Sequence, residues 1–480
     1  MPPAALGAVA SGHREVSEAA AVALREGGNA FDAAVAAGFA ACVAEPMFAS
    51  LGGGGFLLVR GADGEEALFD FFVDAPGRGI DAAALEPHFE PMTVHFPASD
   101  QVFNIGLGSV AVPGALCGLL EVHRVLGVLP LRVLVEPATA LAREGVVLNA
   151  HQAYVQELLT PIVTLSAPGR AIYAPGGRPR REGERVVNAD LAAFLESLPG
   201  AADDLYTGAL AEVIVRDMRE GQGLLGAEDL SAYRVERRTP LDFVYRGHRV
   251  LTNPPPAVGG GLIARTFGSW AARPALAWDS AGRRVALAEL MEAVERERVL
   301  PAAGGTTHIS VVDRAGNAAS LSLSNGEGSG YLVPGTGIML NNMLGEDDLY
   351  PEGVRALPPG DRVGSLMAPT VVLEAGGVRL VVGSGGSTRI CGAIVQVVAG
   401  VLDAGLPVRE AVEAPRQHWD GEQFQVEPGV SDGVLEALRE RWPVNAWGAR
   451  NLYFGGVHAI APPTDAAADP RREGHATLVA

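Results

Sequence analysis

The chain has 480 residues, enough for one large core or two tightly joined halves, and 48% hydrophobic content with 61 glycines suits an α/β or α+β protein. A formal net charge of −19 argues against nucleic acid and anionic membrane as partners. The chain contains no lysine, which excludes a Walker lysine, a Schiff-base lysine and a Ser-Lys dyad.

Met1 to Gly12 shows neither a basic n-region nor an apolar h-region, and no apolar run reaches about 18 residues. The reading is a cytoplasmic chain without an export signal. Ser17 to Arg25 forms an Ala-rich amphipathic helix closed by Gly27-Gly28-Asn29, and Phe31 to about Val43 forms a second, nearly all-apolar helix. Gly52 to Gly55 precede the apolar strand Phe56-Leu57-Leu58-Val59. A phosphate cradle would need Gly-Lys-Ser/Thr and a following helix, and neither is present. Gly106-x-Gly108 is not a dinucleotide fingerprint, because Pro113 interrupts it. Asn253 to Pro256 makes a rigid turn before a helix from about Leu262, and Val285 to Val299 is a charged amphipathic helix. Cys42, Cys117 and Cys391 lie far apart in apolar or small-residue runs and read as buried free thiols. No cofactor or metal site is indicated.

The chain is organised around Thr306 to Asn325. Thr307 to Val312 is rich in β-branched residues, Asp313 to Asn317 is a turn signal, and Ala318 to Ser324 alternates leucine with serine as a half-buried strand does. A loop of Arg314 to Gly316 sets Asp313 against Asn317 and Thr306 against Ser324, with paired side chains about 5 Å apart. Gly304 and Gly305 leave the backbone before Thr306 unhindered. A break between Gly305 and Thr306 would give Thr306 a free α-amine, which titrates at about 7.7–8.0, beside its own hydroxyl. Nucleophile and general base would then share one residue.

Thr306-Thr307-His308-Ile309-Ser310-Val311-Val312-Asp313 resembles the start of the small subunit of the γ-glutamyltransferase (glutathione hydrolase) family of N-terminal nucleophile hydrolases. The resemblance recurs in Gly27 to Val59, Gly106 to Gly118, Asn253 to Gly261, Gly337 to Asn342 and Val381 to Ile390. It implies an α+β fold, the four-layer αββα sandwich. It also implies a precursor cut into residues 1–305 and 306–480, which together make one unit. The implied activity is hydrolysis or transfer of γ-glutamyl amides such as glutathione, a small-molecule substrate, with no cofactor; homo-oligomer formation is compatible with it. The alternatives are an acylase of the same fold and an uncleaved, non-enzymatic relative.

Thr306 is then the nucleophile and Ser324 positions it, while Asn325 orients substrate. Backbone amides hold the oxyanion, at Gly386 and Ser387 or, sliding by one, at Gly385 and Gly386. Glu346 and Asp348 are the candidates for an α-ammonium group, and Ser365 retains one carboxylate-binding hydroxyl. Two positions depart from the pattern: Phe72 stands where the family has a carboxylate-binding Arg, and Leu366 where it has a second Ser. Arg78 is a weak substitute for that Arg. A shortened stretch before Ser365 favours water over an acceptor amine.

Overall fold

The computed structural model describes residues 5–80, 86–96, 99–198, 200, 203–274, 276–296, 305–346 and 356–480. Mixed helices and antiparallel sheets build an α+β fold. A seven-stranded sheet runs in the order His475–Val479, Gly7–Ser11, Thr306–Asp313, Ala318–Ser324, Gly54–Arg60, Glu66–Phe71, Glu236–Arg238. A six-stranded sheet runs Asp465–Ala467, Gly456–Ala461, Gly377–Gly385, Thr370–Glu374, His248–Thr252, Leu241–Tyr245.

The central hairpin has the expected register. Thr306 pairs with Ser324, Val312 with Ala318, and the Asp313 amide donates to the Asn317 carbonyl at 3.0 Å. The turn is held by Asp313, whose Oδ1 accepts from the amides of Ala315 and Asn317, with Gly316 at φ +91°. That left-handed φ is why glycine stands there.

Strand alternation divides the apolar residues between two cores. Ile309, Val311, Leu321, Leu323, Leu57 and Val59 pack with the helices Arg14–Arg25 and Ala30–Ala44. The opposite face supplies Ala8, Ala10, Phe56, Leu58, Phe72 and Val312 to a core shared with Leu380, Val382, Val457 and Ala459 of the second sheet and with the helix Arg389–Asp403. Ala30–Ala44 is buried along its whole length and starts from a capping box, Asn29 with Asp32.

One sequence expectation needs correction. Ala318–Ser324 is not half-buried: both faces are covered. Its serines are hydrogen-bonded, Ser320 to the second sheet and Ser322 to the neighbouring strand of its own sheet. Ser320 accepts from the Thr370 amide at 3.1 Å, and Ser322 Oγ lies 2.9 Å from His308 Nδ1. His308 Nε2 meets Ser310 at 3.1 Å, and Ser310 donates to the His458 carbonyl. Burial holds His308 well below the usual imidazole range, so this buried ring is neutral. Gly383 permits the close approach of the sheets, since a Cβ there would collide with the His308 ring. Cys42 is buried, but Cys117 and Cys391 are only partly so, and all three are free thiols. Among the described residues no helix is long and apolar enough to cross a membrane.

Candidate active site

Thr306 begins its strand, buried on the face turned towards the second sheet. Its neighbours hold both ends of the preceding residue. The Ser324 hydroxyl donates to the Gly305 carbonyl at 2.6 Å, and the Gly305 amide donates to Glu327 Oε1 at 3.1 Å. The Gly326 amide in turn donates to Ser324 Oγ at 3.2 Å, which aims the serine proton at Gly305. The loop Asn325 to Gly328 turns through left-handed φ at Gly326 and Gly328, and Asn342 Oδ1 pins it by accepting from the amides of Glu327 and Gly328.

The C-terminal side of Thr306 is fixed by Arg472, whose Nη1 donates to the Thr306 carbonyl at 2.7 Å. This guanidinium is buried and lies over the Phe48 ring, 4.7 Å from its centroid. Thr307 Oγ1 donates to both oxygens of Glu45, at 3.1 and 3.0 Å. Burial pushes the Glu45 carboxyl up to about 7, against the opposing pull of Thr307 and Arg472. Behind Arg472 lies a buried ionic knot: Asp469 pairs with Arg416 at 2.7 Å and Arg471 at 3.1 Å, and Arg471 pairs with Glu427. Burial alone would raise Asp469, but Arg416 and Arg471 outweigh it and hold the carboxyl well below the usual range.

The structure brings most of the expected site residues together. Gly385 packs on Thr306 so closely that a Cβ would strike the Thr306 carbonyl. Gly386 and Ser387 follow with φ of +120° and +57°, turning the chain from the strand Gly377–Gly385 into the helix Arg389–Asp403. Successive backbone N–H groups in such a turn form an anion-binding concavity. Asn325 is buried next to Ser324, and neither its Oδ1 nor its Nδ2 hydrogen-bonds to a described residue. Glu346 lies against Gly326, where a Cβ would collide with its Oε1. Ser365 is buried, and its hydroxyl accepts from the Met367 amide at 3.1 Å. Asp348 lies outside the described residues.

The two departures are both apolar and buried. Phe72 stacks on Phe56 with ring centroids 5.4 Å apart, and Leu366 is 4% exposed. Arg78 is the substitute that the sequence offers for the missing guanidinium. It is exposed, with Nη2 3.4 Å from the Gly360 carbonyl. Arg362 donates to the carbonyl of Asp70, two residues before Phe72, but its guanidinium is committed to Asp74 at 2.6 Å and Asp70 at 2.8 Å.

A family model described as Gamma-glutamyltranspeptidase matches residues 16–268 and 278–479. The chain belongs to the gamma-glutamyltranspeptidase family. It is 31% identical to the glutathione hydrolase proenzyme of Escherichia coli (strain K12) over 502 residues, 91% of this chain and 85% of that protein. It is 33% identical to the acylase ACY 1 proenzyme of Pseudomonas sp. (strain SE83) over 505 residues, 95% of this chain and 89% of that protein. Among solved structures, it is similar to the cephalosporin acylase from Bacillus halodurans, with TM-score 0.85 and 26% identity over 99% of this chain and 96% of that one. The chain is thus a hydrolase or acylase of the N-terminal nucleophile class.

Sequence reasoning missed Glu327, Arg472 and Glu45 as neighbours of Gly305, Thr306 and Thr307. Glu327 sits in a Gly-rich loop that carries no periodic pattern. Arg472 is 166 residues from Thr306 in the chain, so only the fold reveals the contact. Glu45 had a faint signal, a carboxylate at the end of a nearly all-apolar helix.

Proposed function

We propose that this protein is a self-processing N-terminal threonine amidohydrolase on a four-layer αββα framework. Cleavage before Thr306 divides it into residues 1–305 and 306–480, which stay folded as one unit. The observation that carries the reading is the Ser324 hydroxyl on the Gly305 carbonyl, at the one peptide bond whose cleavage frees the Thr306 amine. In turnover the Thr306 hydroxyl attacks a substrate amide carbon, its α-amine moves the proton, and amides at Gly385 to Ser387 hold the oxyanion. Asn325 orients the acyl group, Ser365 and Glu346 flank it, and water releases it from the ester.

Two acyl classes fit this machinery. γ-Glutamyl amides such as glutathione are the first, with a glutathione hydrolase among the relatives. The second is a different amide, in line with the acylase relatives, and the buried Phe72 and Leu366 favour it. An apolar ring cannot fork onto a carboxylate as a guanidinium does. The test is hydrolysis of γ-glutamyl and simple acyl anilides by the processed protein, with Thr306→Ala as control. Release of aniline by the wild type alone, with acyl mass captured on the Thr306 fragment, is the expected result. Equal release by Thr306→Ala would refute the assignment.

A further inference from the structure

The grip on Gly305 has a consequence for the substrate. Both polar groups of this residue are held, its carbonyl by Ser324 at 2.6 Å and its N–H by Glu327 at 3.1 Å. Its α-carbon has no room for an L side chain. A Cβ there would lie 2.7 Å from the Gly326 carbonyl oxygen and 2.8 Å from that of Met47, both too close for real contacts.

Self-cleavage and turnover share one chemical species. In self-cleavage the Thr306 Oγ–C bond forms at the Gly305 carbonyl as the C–N bond breaks, and the hydroxyl proton passes to the departing nitrogen, now the Thr306 amine. Water then adds to the ester, restoring the hydroxyl and leaving a carboxyl on Gly305. An external amide gives an ester of the same connectivity, an acyl carbon on Thr306 Oγ with the α-carbon beyond it. The carbonyl donors differ, Ser324 for Gly305 and the Gly385 to Ser387 amides proposed for turnover, but both acyl carbons hang from the same Thr306 oxygen, so the groups around the Gly305 N–H and α-carbon lie beside the second acyl as well. When Gly305 withdraws, its N–H leaves Glu327, whose carboxylate remains two residues beyond Asn325.

We infer that Glu327 is an acyl-side binding residue of the processed enzyme and that it selects a glycyl-type acyl group, an unbranched α-carbon bearing an N–H. Glycyl and N-acylglycyl amides belong to this class. γ-Glutamyl amides do not, because the carbon next to their scissile carbonyl carries no nitrogen. The inference rests on the N-terminal threonine reading and extends it.

The test uses processed wild-type protein and four p-nitroanilides: those of N-acetylglycine, N-acetyl-L-alanine, 4-oxopentanoic acid and γ-linked glutamate. The 4-oxopentanoyl group differs from N-acetylglycyl only by a methylene in place of the N–H. Expected is a kcat/KM for N-acetylglycyl roughly ten- to a hundredfold above 4-oxopentanoyl, the effect of one hydrogen bond to a charged acceptor. The alanyl compound should be cleaved more slowly than the glycyl one, and Glu327→Gln should narrow the glycyl to 4-oxopentanoyl ratio. If that variant fails to process, the wild-type panel decides alone. Equal rates for N-acetylglycyl and 4-oxopentanoyl, fastest cleavage of the γ-glutamyl compound, or processed protein that cleaves none of the four would overturn this inference and leave the threonine reading standing. Absence of any fragment beginning at Thr306 would overturn both.

Discussion

Replacing Ser324 by Ala tests the self-cleavage geometry at one atom. In the uncleaved chain the Ser324 hydroxyl donates to the Gly305 carbonyl at 2.6 Å, and the Gly326 amide fixes its orientation. In the ground state such a bond contributes about 1 kcal/mol. In the proposed self-cleavage, attack by Thr306 would place negative charge on the carbonyl oxygen. A preorganised donor to a developing oxyanion is then worth ~2.7–4 kcal/mol, or about 10²–10³ in rate. Ser324→Ala should therefore cleave about a hundred- to a thousandfold more slowly, while Ser324→Thr, which keeps the hydroxyl, should stay much nearer the wild type. The assay is the fraction of intact chain against time after purification, read by mass, with urea unfolding midpoints to confirm that both variants fold. Wild-type cleavage by Ser324→Ala, or equal slowing in the alanine and threonine variants, would refute the reasoning.

Three further outcomes follow from the packing and charge around the site. Burial raises the Glu45 carboxyl from 4.5 to about 7, so between those values the folded chain holds a proton that the unfolded chain has released. The associated stabilisation is complete below pH 4.5 and lost as pH rises through about 7. The wild-type minus Glu45→Gln difference in unfolding free energy should then fall by ~3 kcal/mol across that window, and a flat difference would contradict the burial argument. Asp469→Asn leaves the buried Arg416 and Arg471 short of a counter-charge and should cost about 3–5 kcal/mol by urea unfolding. Phe72→Ala removes a buried ring stacked on Phe56 and should cost about 3–5 kcal/mol, whereas a loss under ~1 kcal/mol would mean that Phe72 is not core.

The parts that were legible in the sequence are those set by local rules. The hairpin register followed from Asp313 to Asn317, where turn chemistry and β-branched flanks agree, and it put Thr306 opposite Ser324. The helix Ala30–Ala44 was readable from small apolar residues alone, and its end was placed within about a turn. The first helix starts at Arg14 rather than Ser17, because His13 acts as the cap through its Nδ1, an uncommon choice for that position.

Long-range facts were not legible. Period-two alternation shows that Ser320 and Ser322 share a face, but it does not show that a second sheet covers that face. The same limit applies to Arg472 and Glu327, which reach Thr306 and Gly305 through tertiary packing. Phe72 was recognised as a departure from the sequence alone. Its stacking on Phe56 and the commitment of Arg362 to Asp70 and Asp74 became visible only in the fold.

The central claim is that Thr306 becomes an N-terminal nucleophile. Intact mass with N-terminal sequencing of purified wild type, beside Thr306→Ala, tests it most directly. The account predicts two wild-type fragments, the smaller beginning Thr306-Thr307-His308, and a single uncut chain for the variant. A wild-type chain that stays whole after long incubation would deny Thr306 its amine and contradict the account.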